Sequence, residues 1–118
     1  MKSIKYLVLI PLMVGCSQLS TETAFKELMD SEWSKVVIDN PVYASSMGDL
    51  SRNTEWPDTS VKNIYSDHQH QLNVLAQLQK LDTAQFTKEN KVNYSLFKKQ
   101  YENSIEAHAY QTFLIPFS

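Results

Sequence analysis

Through the body of the chain the apolar residues fall three and four positions apart, the repeat of one helix face. Ala24, Phe25, Leu28, Met29, Trp33, Val36 and Val37 mark a first helix. It should stop at Asp39-Asn40-Pro41, because the residue before a proline is pushed out of the helical region. Pro41 suits a first helical position with Asn40 as its cap, so 41–48 reads as a short second helix. Gly48 is placed to end it, since glycine accepts a left-handed conformation cheaply. The stretch DLSRNTEWPDTS is rich in turn and cap formers and reads as a loop. Asp58, Thr59 or Ser60 can cap a third helix that carries Val61, Ile64, Tyr65, His68, Leu72, Leu75, Leu78 and Leu81 along one side. A break at LDTAQFT supplies Thr87 as the next cap, with Glu89 in a favourable first turn. The last helix shows Val92, Leu96, Phe97, Tyr101, Ile105 and His108 at helical steps. No segment alternates as a strand does, and no repeat or low-complexity tract is present. The predicted class is all-α, with three long helices and one short one.

The first residues follow a different pattern. Lys2 and Lys5 give a positive start, and Tyr6 to Val14 is apolar apart from Pro11. That run is about half of the roughly 20 residues a spanning helix needs, so it reads as an export signal. It ends Leu12-Met13-Val14-Gly15-Cys16, with the chain's single cysteine at the seam. This resembles the lipobox of bacterial lipoproteins, in which cleavage falls between a small residue, here Gly15, and a cysteine whose sulfur receives diacylglycerol. Met13 departs from the commoner leucine. The expected organisation is a signal peptide over 1–15, a tether over 16–23 and a helical region over 24–118. Cys16 is then a handle for lipid, and a lone cysteine cannot form an internal disulfide. Each buried acyl methylene contributes roughly 0.8 kcal/mol, so more than one chain anchors firmly. The implied location is the bacterial cell envelope. With two membranes, Ser17 favours the outer membrane facing the periplasm, because an aspartate favouring inner-membrane retention is absent.

Charge adds one exclusion. Loss of residues 1–15 removes two lysines and moves the formal net charge from −2 to −4. A mildly acidic chain has no electrostatic case for binding nucleic acid. Two glycines in the whole sequence also argue against a sheet-rich protein with many tight turns.

No complete catalytic constellation is present. In Asp67, His68 and His70 the two histidines are two apart and point roughly 200° from each other on a helix. Asp67 and His70 share a face, but two ligands do not make a metal site. His68 should border the apolar face and His70 should be solvated. Glu102 and Glu106 share a face, yet His108 follows Glu106 by two, not the three of a di-iron bundle motif. Lys98 and Lys99 make that face a solvated charged stripe, and His108, three after Ile105, should be partly buried. Ser45-Ser46-Met47-Gly48 lacks nucleophile-elbow spacing. Trp56, beside carboxylates, could meet a sugar or a peptide, but packing over the start of the third helix is the expectation. No catalytic residue, metal ligand or cofactor is therefore assigned.

The order of segments does resemble a bacterial family, the domain of unknown function eight-eight-five. The resemblance rests on the Trp33 region, Asn40-Pro41 followed by Met47-Gly48-Asp49, the start at Asp58-Thr59-Ser60, and the stretch from Leu81-Asp82 to Asn93-Tyr94. It spans nearly all of the chain after the signal, through soft motifs. Members look like α-helical, zinc-peptidase-like proteins, many of them exported and lipid-anchored. Their His-Glu-Gly-x-Pro-Gly-His type motif lies far downstream of the matched region and has no counterpart here. The resemblance implies an N-terminal portion of a larger helical domain, inactive alone, with zinc expected only in a full-length member. The apolar Phe113, Leu114, Ile115 and Phe117 agree with that. They would meet the missing C-terminal region or drive self-association. The alternative is a complete small helical lipoprotein, a structural or binding module at the membrane surface.

Overall fold

A computed structural model describes residues 20–115. The signal segment, Gly15, Cys16, Ser17 and Phe117 lie outside the described residues. Four helices follow one another: α1 (Thr21–Asp39), α2 (Pro41–Ser46), α3 (Val61–Gln79) and α4 (Lys88–Ala109), closed by a 3-10 turn at Thr112–Leu114. The fold is all-α, as the periodicity predicts.

The helix ends follow from local chemistry. α1 starts at Thr21, three residues before the apolar pattern does, because Ser20 Oγ accepts the Thr23 N–H at 3.2 Å. The end of the polar tether stretch is thus already helical. Pro41 takes the first position of α2, but the Asn40 side chain makes no capping bond. Gly48, at φ 96°, closes α2. Its N–H reaches Ser45 O at 3.1 Å and the Asp49 N–H reaches Ala44 O at 3.0 Å, the two bonds of a Schellman motif. Of the three candidate caps for α3, Ser60 is the one used, bonding the Asn63 N–H at 3.2 Å. Asp58 instead accepts the Ser60 N–H at 2.9 Å and shapes the turn before it. Thr87 caps α4 through the Asn90 N–H at 3.2 Å.

The core is small. Phe25, Val74, Leu78, Phe86 and Tyr101 are buried, with Leu28, Met29, Leu81, Tyr94 and Phe97 packed around them. Phe25 sits among the rings of Phe86, Tyr94 and Phe97 at centroid distances of 5.5, 5.7 and 6.2 Å. The Tyr94 hydroxyl donates to Leu78 O at 3.0 Å. Two expectations change here. Val61, Tyr65 and Leu72 are exposed on α3, while Val74 is fully buried. Successive steps of three each lag the helix by roughly 60°, so the line from Leu72 to Leu81 winds around it. Only its later part meets α1 and α4. Phe86, in the predicted break between helices, is a core residue.

The polar face of the fold is also tied between elements. Glu22 Oε1 of α1 accepts the Thr87 N–H at 2.8 Å and the Asn90 side-chain amide at 2.7 Å, which joins the first turns of α1 and α4. Arg52 of the loop donates to Ile38 O and so satisfies one of the last carbonyls of α1. It also pairs with Glu55 at 2.6 Å. Trp56 does not pack over the start of α3: it is 84% exposed. Proline follows it and the turn around Asp58 directs the chain into α3, leaving the indole outside.

Candidate functional site

Phe25, Leu28, Met29 and Glu32 are separated by three and four residues, so Glu32 continues the core-facing line of α1. It is 7% exposed, and it is the one buried charged side chain among the described residues. Its Oε2 accepts the Tyr101 hydroxyl of α4 at 2.6 Å and lies 2.7 Å from His70 Nε2 of α3. One carboxylate oxygen thus joins three helices. A buried charge is costly unless bonded, and here two donors converge on it. With Glu32 ionised, His70 carries a proton on Nε2 to make this bond. Burial, followed by the bond to Glu32 and its charge, pushes the Tyr101 phenol above the ordinary tyrosine range.

The junction opens to a polar cleft of about 210 Å³. Lys35 stands at its edge, bonded to Asp67 Oδ1 at 3.1 Å and paired with Asp39 one helical turn on. Burial disfavours the Lys35 ammonium, but the bonds to Asp39 and Asp67 outweigh it and raise its pKa. Gln71, Gln100 and Ser104 complete the wall. The cleft is smaller than the roughly 300–1,000 Å³ typical of ligand pockets. Ser104 Oγ donates to Gln100 O at 3.0 Å, so its proton is directed to the backbone and not to a base. The arrangement can hold three helices in register and offer a small polar group a carboxylate, a lysine and an imidazole.

The sequence candidates fall in other places. His70 is bonded to Glu32 and not simply solvated, because the line from His70 through Val74 to Leu78 faces α1 and α4. Asp67 pairs with Lys35 and also accepts the Asn63 amide at 3.3 Å. His68 turns away from both and stacks on His108 at a centroid distance of 3.8 Å. Glu102 pairs with Lys98 at 3.7 Å on a partly exposed stripe, as its spacing predicts. Among the described residues no group of three or more His, Cys, Asp or Glu side chains could hold a metal ion. Glu32 and Lys35 were invisible as a pair to motif reading. A carboxylate within an apolar stripe is the signal that points to Glu32, since such a position demands a buried partner.

Comparison with protein-family models, with curated proteins and with solved structures gives no match. No described helix is long and apolar enough to cross a membrane.

Proposed function

We propose that this chain is the lipid-anchored N-terminal helical region of an exported zinc-peptidase-like protein, and that it has no catalytic activity by itself. The anchor rests on the basic start, the short apolar run and Met13-Val14-Gly15-Cys16. Cys16→Ala should abolish labelling by a palmitate analogue and either release the chain from membranes or leave it unprocessed. Label retained by the alanine variant would refute the anchor. Ser17 makes the periplasmic face of an outer membrane the proposed destination.

The observation that carries the larger-domain reading is apolar surface left without cover. Trp33, Ile38, Val42, Leu50 and Leu96 are each at least half exposed, whereas the core holds only a handful of buried residues. Helices with such faces suit a further helical layer. The resemblance to the domain of unknown function eight-eight-five supplies the kind of protein that layer would belong to. The coding DNA beyond the codon for Ser118 tests it. An open frame running into a His-Glu-Gly-x-Pro-Gly-His stretch is expected; no such frame downstream would sink the reading.

One feature favours a second reading, a self-contained small lipoprotein that acts as a binding module. Phe113 folds back to pile on His108 at 5.2 Å and meets Tyr65 at 6.4 Å, so part of the last apolar stretch closes on its own chain. Leu114 and Ile115, at 64% and 57% exposure, do not.

A further inference from the structure

His68 of α3 and His108 of α4 lie ring on ring, 3.8 Å apart and within 10° of parallel. Phe113 stacks against His108 at 5.2 Å and 30°, and Tyr65 meets the same imidazole edge-on at 5.2 Å. His108 is therefore the middle ring of a pile whose outer member belongs to the 3-10 turn. His68 Nδ1 is buried and has no hydrogen-bond partner. The turn itself starts from Gln111 at φ 52°, a left-handed conformation that a non-glycine residue holds only when its surroundings impose it. We propose that this histidine pair is an acid-sensitive latch: when both rings are neutral it holds the 112–115 segment against α3 and α4, and when both are protonated it lets that segment go.

The argument is electrostatic. Two imidazolium rings at this separation repel strongly, because a partly buried site screens charge less than water does. The carbonyl end of α4 favours a cation at His108, in its last turn, but no carboxylate lining the hollow is free to pair with either ring. The hollow beside the pair receives one carboxylate, Asp67 of α3, and that group is committed to Lys35 of α1 and to Asn63. On the α4 side the hollow is lined by Ser104 and Ala107, and the turn brings Thr112 and Phe113, none of them charged. Burial, and then the charge of His68, pull the His108 pKa below the ordinary histidine value of 6.5. The sign follows. A depressed folded-state pKa means that the packed form binds fewer protons than the released form. Its advantage is complete above about pH 6.5 and falls as the pH drops through that range. The released segment would uncover Phe113 and join it to Leu114 and Ile115, which already face solvent, as a patch suited to an apolar partner.

Proton NMR of the full chain between about pH 7.5 and about pH 5 tests this, in a window above the carboxylate titrations. The imidazole C2 proton of His108 should titrate below the range of a free histidine. Cross-peaks between the Phe113 and His108 rings should vanish as His108 takes up its proton. His108→Phe keeps the pile without its charge, so contacts of Phe113 with that ring should persist to about pH 5. If that variant does not fold, His68→Phe serves, with the same expectation for the Phe113–His108 contact. An ordinary His108 midpoint near 6.5 would overturn the latch. So would wild-type cross-peaks that survive double protonation, or a neutral-ring variant that loses the Phe113 contact at the wild-type pH.

Discussion

Glu32 shows how one carboxylate can decide the register of three helices. A leucine at that position would extend the apolar line of α1, but it would leave the buried Tyr101 hydroxyl without a partner and free His70 Nε2 from α1. Leaving such groups unpaired costs more than the bonds contribute when made. Tyr101→Phe removes one donor and keeps the ring, so it isolates the bond to the carboxylate. A loss of about 1.5–3 kcal/mol is expected, the usual range for a hydrogen bond to a charged group, measured by urea denaturation at neutral pH. The raised Tyr101 pKa gives an independent check. A spectrophotometric titration of the folded chain should show a tyrosine component above the ordinary tyrosine range, and Tyr101→Phe should delete it.

At the scale of elements, spacing and caps carried most of the information. Each helix lies where its three- and four-residue steps place it, and Thr87, Ser60 and Gly48 end or start helices as their chemistry requires. Thr87→Ala should cost about 1 kcal/mol by the same denaturation assay, a normal value for a lost cap. Which face of each helix is buried was less legible. Periodicity defines a stripe, but its rotation is set by neighbours far along the chain, as Val74 and Leu72 show. The junction at Glu32 was missed for the same reason, since Glu32, His70 and Tyr101 meet only when three helices pack. Glu22 is another such long-range partner. Its bonds to the Asn90 side chain and the Thr87 N–H hold its carboxyl below the ordinary 4.5. A lowered folded-state pKa stabilises the fold above about pH 4.5 and loses that contribution as the pH falls. Glu22→Gln should therefore be less stable than the parent at pH 7. The gap between the two should narrow as the pH falls below 4.5, followed by circular dichroism in urea.

For the whole molecule the balance of covered and uncovered apolar surface sets the expectation. Phe25, Val74 and Leu78 are fully buried, while Trp33, Ile38, Leu50, Trp56 and Leu96 face solvent. Each side chain of this kind contributes roughly 1.5–3 kcal/mol when buried, against a total stability of about 5–15 kcal/mol for a small domain. The isolated chain from residue 16 onward should thus be helical, marginally stable and prone to associate. Thermal melting and sedimentation velocity would check both parts; a cooperative melt well above about 65 °C from a strict monomer would contradict them. Under the proposed anchoring at Cys16, the clasp between Glu22 and the start of α4 has a mechanical consequence. A pull through that anchor would enter at the first turn of α1, which starts at Thr21, five residues past Cys16. There Glu22 would pass the load sideways, through Thr87 and Asn90, onto a helix of 22 residues. The tug would be shared by two helices before it reached Phe25, so drag at the membrane would fray a surface clasp ahead of the core.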